Sequence, residues 1–348
     1  MPAPFLTRAS PENSRKPRQR ARPFGSNMAR VKIEGDKKPP QEKSGGLYFS
    51  TPRDKSEFIP SGSKTLDLAL GGGWARRRIA NILSDRAVGK TLLAIEACAN
   101  FSMVEPKGKI RYRETESAFD PRYAQALGFP LDRVDFGDPV ETVEDMFEDL
   151  SKVIEGARGP EFYVIDSLDA LSDRSEMEKD IDKGTYGASK AKLLSQLFRR
   201  LVRGLAEKDV TLLIVSQIRE NINAGMFAKK YTRSGGKALD FYFSQVLHLA
   251  QIEKLKKTVK GVTRVTGTRV KAVVEKNKIA LPYREAEFQI LFGYGINDRA
   301  ACVDFLKEAK VEIDKNATLD QIHQLVEDTW FEIERGFLVT EKKYKAGE

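Results

Sequence analysis

Phe162-Tyr163-Val164-Ile165-Asp166-Ser167 is an apolar run that closes on a carboxylate, and its reading decides the architecture. A continuous apolar run of this length fits a strand buried on both faces, the kind that parallel sheets covered by helices contain. Upstream, Ser84-Asp85-Arg86-Ala87-Val88-Gly89-Lys90-Thr91 follows a strand signal at Arg77–Leu83 and opens an apolar helix running from Lys90 to Met103. A strand, a loop ending Gly-Lys-Thr and a helix form the context a phosphate-binding loop requires. Backbone N–H groups from Ser84 to Gly89, with the helix N-terminus at Lys90, Thr91 and Leu92, suit anionic phosphate oxygens. A doubly wound sheet brings the ends of both strands to one edge. Asp166, 75 positions beyond Thr91, would then hold the water shell of a Mg²⁺ ion that the Thr91 hydroxyl ligates, with Lys90 as a point charge at the phosphates. The competing reading of the loop is a helix N-terminus with an exposed lysine. That of Asp166 is a cap for the next helix. Each explains one motif only.

Around these motifs strand and helix signals alternate. Lys109–Arg113 and Arg133–Phe136 read as strands, Asp120–Leu127 as a short helix and Val140–Ile154 as an amphipathic one. Ala188–Leu205 reads as a helix and Val210–Ser216 as a fully buried strand. Residues 245–253, 263–274 and 285–292 read as consecutive strands, and 298–336 as a small helical end piece. The fold class is therefore α/β: a mostly parallel sheet flanked by helices, with an antiparallel extension. Domain organisation follows as 1–45 tail, 46–297 core and 298–348 C-terminal helical region with a basic tail.

Composition narrows the chemistry. Two Cys (Cys98, Cys302) and two His (His248, His323) exclude a disulfide framework and a four-ligand zinc site of the usual spacing, and argue against nucleophile–histidine relays. Two thiols suit a reducing compartment, so a cytoplasmic location is expected. No apolar stretch approaches the ~20 residues of a membrane helix. The formal charge of +9 is uneven: residues 1–45 hold eleven Lys/Arg against four acids and seven of the fifteen prolines, leaving +2 for the rest. Such a segment cannot bury enough apolar surface to offset its ordering entropy, so disorder is expected there. A solvated tail, a nucleic-acid-binding arm and an organelle transit peptide all remain open for it, and Met28 is an alternative start.

Hydrolysis requires a group to orient water. Glu116 lies just past the strand between the two motifs, at the same edge, with Glu114 as its competitor. Residues 218–236 (IRENINAGMFAKKYTRSGG) form a long connection with Arg219, Lys229, Lys230 and Arg233 against the single acid Glu220. These cations can neutralise phosphates without reading bases, and Met226 and Phe227 can stack on or wedge between bases. The alternative is that the apolar pair plugs the core. Gly235 and Gly236 close the connection. An earlier segment, Ser172–Ser189, begins acidic, and Lys192 and Arg199 on the following helix are the backbone-contact candidates there.

Taken in order, these blocks resemble the RecA family of DNA recombinases over roughly residues 58–300. Ser61-Gly62-Ser63 with Leu66–Gly71 looks like the family's opening segment. Glu116–Pro121 with Tyr123 looks like its catalytic block, and Leu212–Arg219, Met226-Phe227 and Gly235-Gly236 like its strand and second DNA loop. Lys276–Ala280, Glu287–Ile290 and Gly293–Asn297 are similar to its C-terminal core. The resemblance implies a RecA-like P-loop NTPase core and a DNA-dependent ATPase. Glu116 would be the catalytic carboxylate, Asp120 and Tyr123 adenine contacts, and Gln217 a γ-phosphate sensor. Lys276 and Lys278 would reach ATP bound to a neighbouring subunit. It further implies ATP with Mg²⁺, single- and double-stranded DNA, a helical homo-oligomeric filament, and single-strand-binding or loader proteins as partners. Strand exchange is the leading function. A nucleotide-poor mediator paralogue and a RecA-fold ATPase without strand exchange are the alternatives. Ser84 departs from the loop's usual glycine, and residues 1–45 offer no helix to match the family's N-terminal one.

Overall fold

In the computed structural model the described residues are 54, 57–85, 87–117, 119–174, 186–220, 231–233 and 239–339. The central strands are β3 (Ile79–Ser84), β4 (Lys109–Glu114), β5 (Val134–Asp135), β6 (Glu161–Asp166) and β7 (Val210–Glu220). They run parallel, and β9 (Gln245–Val259) joins β3 in the same direction. β10 (Val262–Asn277), β11 (Glu285–Leu291) and β12 (Gly295–Ile296) continue the sheet antiparallel. The resulting order is β12-β11-β10-β9-β3-β7-β6-β4-β5, with β8 (Tyr231–Arg233) paired to the end of β7. A separate two-stranded ribbon joins β1 (Phe58–Ile59) to β2 (Trp74–Ala75). The expected parallel sheet with an antiparallel extension is thus observed.

Alternation along the buried strands divides the core in two, because successive side chains point to opposite faces. Ala80, Ile82, Phe162, Val164, Leu213 and Val215 pack with α1 (Lys64–Leu70) and α2 (Lys90–Val104) on one face. Ile79, Leu83, Tyr163, Ile165, Leu212 and Ile214 pack with α4 (Val143–Gly156) and α5 (Tyr186–Lys208) on the other. A short α3 (Pro121–Ala126) follows β4, its first turn capped by Asp120, whose carboxylate accepts from the N–H groups of Arg122 and Tyr123. After the sheet come α6 (Asp298–Glu308) and α7 (Leu319–Phe337), which share a small core of Cys302, Leu306, Ile322 and Val326.

Two differences from the sequence reading have physical causes, and one buried charge in a strand has its own account. The hairpin β9–β10 is longer than its apolar pattern, because the ladder between Gln245–Lys256 and Val265–Asn277, with three register shifts, continues into the exposed tip 257–264, where the Thr258 and Thr263 hydroxyls also meet at 2.8 Å. The connection 218–236 is not a loop throughout: Ile218, Arg219 and Glu220 pair antiparallel with Arg233, Thr232 and Tyr231. Arg113, incongruous in a strand with 3% exposure, is fully engaged. Its Nε and Nη2 donate to Asp149 at 2.7 and 3.3 Å, its Nη1 donates to the Asp135 carbonyl at 2.8 Å, and the guanidinium lies 5.3 Å from the centre of the Tyr163 ring. A buried guanidinium is tolerable only when paired and hydrogen-bonded in this way.

Burial pushes the Asp67 carboxyl on α1 up to about 7, against the opposing effect of its hydrogen bonds with Ser61. The folded chain then binds this proton more tightly than the unfolded chain, so the contribution to stability is full below pH ~4 and is lost as pH rises to about 7. Asp67→Asn keeps an oxygen to accept from the Ser61 N–H (2.7 Å). Urea midpoints at pH 5 and pH 7 should differ less in this variant than in the parent chain, with the variant the more stable of the two at pH 7.

Candidate active site at the carboxyl edge of the sheet

The parallel register aligns Ser84 with Gln217 and Glu114 with Asp166. The ends of β3, β7, β6 and β4 therefore meet at one edge, and the segments leaving them carry the polar groups. Gly89 is the pivot of the loop. Its φ of +110° is a backbone conformation that side chains resist, and a Cβ there would lie 2.5 Å from Ile290 Cδ1. It stands at the N-cap of α2, where no side chain caps the helix. The N-terminal N–H groups and positive dipole end of a fifteen-residue helix are left to face an anion.

Lys90 Nζ donates to Ser84 Oγ at 2.8 Å. Burial holds this ammonium below the ordinary lysine range, while the carboxylates of Asp166, Glu116, Asp169 and Asp85 favour its charged form. Asp166 accepts from the Tyr112 hydroxyl at 2.7 Å and from the Thr91 hydroxyl. Burial raises its carboxyl above the usual range, the two hydroxyls pull it down, and Glu116 and Glu114 push it up. Hard oxygens of Asp166 and the exposed Thr91 converge beside an uncapped helix N-terminus, which fits a Mg²⁺–phosphate group.

The two candidate carboxylates after β4 are separated by their hydrogen bonds. Glu114 accepts from the N–H groups of Glu116 (2.9 Å) and Ser117 (3.0 Å), which shapes the turn. Glu116 is exposed and accepts from the Ser167 hydroxyl. Thr115 exchanges hydrogen bonds with the Ser167 backbone at 2.7 and 2.8 Å, tying this turn to the end of β6. Gln217 is exposed beside the loop, and its N–H donates to Asp169 at 2.6 Å. Asp85, Ala87, Asp120 and Tyr123 are exposed at the same edge or on α3, and Val88 and Leu92 are buried.

Lys276 and Lys278 lie elsewhere. Lys276 pairs with Val246 at the start of β9, and the Lys278 N–H donates to Ser244, whose own N–H donates to Ile79. They therefore sit at the amino edge of the sheet, a strand length of about 17 Å from the loop. Both ammonium groups donate to one short backbone stretch, Lys276 to the Asp240 carbonyl and Lys278 to that of Phe241. On α5, Lys192 and Arg199 are exposed, and Arg199 Nε donates to the Tyr242 hydroxyl at 3.3 Å. Arg86, Met226, Phe227, Lys229, Lys230, Gly235 and Gly236, and the side chains of Arg219 and Arg233, lie outside the described residues, as does the tail 1–45.

Two features escaped the sequence reading. Lys190 is buried and donates to the Leu168 and Leu171 carbonyls, fastening α5 to the segment that follows β6. The tip of β9–β10 exposes Lys254, Lys256, Lys257, Lys260 and Arg264 with no acid from 254 to 265, a run visible in the sequence once the hairpin is known.

Fold and site define an α/β protein of the RecA-like phosphate-loop class. The family model described as the RecA N-terminal domain matches residues 47–297. Protein RecA of Nostoc punctiforme is 37% identical over 266 residues, 76% of this chain and 71% of that one. Protein RecA of Synechococcus sp. is 36% identical, covering 76% and 68%. Protein RecA of Streptomyces ambofaciens is 35% identical over 253 residues, 72% of this chain and 65% of the relative. The chain belongs to the RecA family.

Gly89→Ala should destabilise the fold by about 1–2 kcal/mol from backbone strain alone, measured by denaturant titration, with the Ile290 contact adding to the loss.

Proposed function

We propose that this chain is a DNA-dependent ATPase that coats single-stranded DNA as a helical filament, within the cytoplasm, and promotes homologous pairing and strand exchange with duplex DNA. The observation that carries the reading is the convergence of Lys90, Thr91, Asp166 and Glu116 at one sheet edge. In this scheme the α2 N-terminus and Lys90 bind the phosphates of ATP, and Glu116 orients the attacking water and takes up its proton. Asp120 and Tyr123 on α3 contact the adenine, and Gln217 reports the γ-phosphate to the connection that follows β7. Asp166 and Thr91 would hold Mg²⁺, which would supply charge neutralisation at the phosphate oxygens.

The separation of Lys276 and Lys278 from the loop supports a site shared between copies. Neither can reach the phosphates bound to its own chain. Each can reach those of a neighbour stacked amino edge to carboxyl edge. Repeated head-to-tail contacts of this kind build an open polymer. ATP at the junction then favours the polymer, and hydrolysis releases it, a linkage of nucleotide and assembly free energies. DNA affinity is assigned to the 218–236 connection, to Lys192 and Arg199, and to the basic hairpin tip. These contacts are to phosphates and so are sequence-blind and salt-dependent. Single-strand-binding or loader proteins would serve as accessory partners in assembly.

The Ser84–Lys90 hydrogen bond favours a second reading, that of a mediator that binds nucleotide poorly, because the loop offers its lysine an internal partner. Ser84→Gly separates the two: the leading reading expects a lower KM for ATP with intact turnover, the mediator reading no turnover in either form.

ATP hydrolysis should be stimulated by single-stranded DNA and lost in Lys90→Ala. Glu116→Gln should lower kcat by about 10²–10⁴-fold while nucleotide affinity is retained. Lys276→Ala should fail alone yet regain part of its turnover when mixed with Lys90→Ala, since mixed junctions pair an intact loop with an intact lysine. Turnover indifferent to DNA would sink the assignment.

A further inference from the structure

The C-terminal helices assemble three metal-binding side chains that the sequence keeps apart. Asp298 and Cys302 stand one turn apart on α6 and so share a face, opposite His323 in the second turn of α7. Asp298 Oδ2 and His323 Nε2 are 2.5 Å apart, and Cys302 Sγ is 3.6 Å from Asp298 Oδ1. One donor atom from each residue lies within 4.8 Å of the other two. A thiolate, an imidazole and a carboxylate are the donor types zinc takes, at about 2.3, 2.0 and 2.1 Å. Around a tetrahedral ion those bond lengths put sulfur about 3.6 Å from oxygen and nitrogen about 3.3 Å from oxygen. The Cys302–Asp298 spacing, at Oδ1, matches the first value, and the shorter His323 contact is made to the other oxygen, Oδ2, so the carboxylate has to turn and that contact to open for one oxygen to meet an ion shared with both.

The surroundings are those of a built site. The Lys64 N–H, at the start of α1, donates to Asp298 Oδ1 at 2.7 Å and fixes the carboxylate, as outer partners of metal ligands do. Glu327, one turn after His323, pairs with Lys64 Nζ at 2.5 Å. Asp298, His323, Lys64 and Glu327 all line a cavity of about 410 Å³, which gives solvent access to a fourth position. Cys302 is buried with Leu306, Ile322 and Val326, and Leu68, Phe305 and Leu325 pack against them. All three ligands lie beyond residue 297, where the family match ends.

We propose that Asp298, Cys302 and His323 bind one Zn²⁺ ion, with water from the cavity as fourth ligand, and that the ion clips α7 to α6 and, through Asp298 and Lys64, to α1. Its role is structural and separate from the nucleotide site, whose donors are hard oxygens.

The test uses the full chain, reduced and freed of metal by chelation. Titration with Co²⁺ should produce one equivalent of a thiolate-to-cobalt charge-transfer band in the near ultraviolet, which Zn²⁺ displaces, and Zn²⁺ should raise the melting temperature. Metal at Thr91 and Asp166 cannot give that band. Cys302→Ser should abolish it and weaken Zn²⁺ binding at least tenfold, while Cys98→Ser keeps both. Should Cys302→Ser not fold, X-ray absorption of the Zn²⁺-loaded parent chain and of Cys98→Ser decides, with one sulfur at about 2.3 Å expected in each. No sulfur-derived band, a band that survives in Cys302→Ser, or a zinc shell of nitrogen and oxygen alone overturns the proposal and leaves Asp298–His323 an ordinary hydrogen-bonded pair.

Discussion

The arrangement of this molecule depends on burying both faces of β3, β7 and β6. A strand with apolar side chains on each side is stable only between two layers, and parallel strands reach that state through helical crossovers. Here α1 and α2 close one face and α4 and α5 the other. Two buried amides inside this sandwich are committed to partners. Asn81, on β3, donates to the Ile214 carbonyl (3.0 Å) and Ser216 hydroxyl (2.8 Å). Gln245 accepts from the Ala75 N–H at 2.9 Å and donates to the Leu70 and Gly73 carbonyls at 3.0 and 2.9 Å. These bonds tie the opening helix and ribbon to the base of the sheet.

Parallel packing also makes the sheet polar. Every central strand ends at the same edge, so the phosphate loop, Glu116, Asp166 and Gln217 meet there without any contact in sequence. The carboxylates around Lys90, Asp166 first among them, oppose the lowering that burial imposes on its ammonium, and Asp166 accepts from two hydroxyls. The amino edge has the opposite character. Asn277 accepts from the Ile279 and Ala280 N–H groups and donates to the Leu70 carbonyl, which fixes the turn after β10 and with it Lys276 and Lys278. One edge collects Lys90, Glu116 and Asp166, and the other carries Lys276 and Lys278. On the proposed function, a head-to-tail polymer would join these two edges.

Charge divides along the same lines. Most of the net +9 belongs to residues 1–45, but the nearly balanced remainder is not evenly mixed. Acids concentrate near Lys90 and in the α6–α7 region, and cations at the tip of β9–β10. Nucleic-acid affinity can therefore arise from local surfaces while the core as a whole carries little charge.

The sequence by itself determined the element types, the position of the phosphate loop and the carboxylate at the end of β6, because apolar period and loop composition are local properties. It also pointed to the family, through the order of separated blocks. Tertiary structure decided the rest. The partners that let Arg113 be buried, Asp149, Asp135 and Tyr163, come from three other elements. Glu114 and Glu116 are indistinguishable by spacing, and only the turn shows that Glu114 is spent on backbone N–H groups. The zinc-type ligands Asp298, Cys302 and His323 were invisible to a search for conventional spacings, since two come from one helix face and the third from another helix. The edge on which Lys276 and Lys278 lie follows from strand direction, and direction is fixed by non-local pairing that no window of sequence contains.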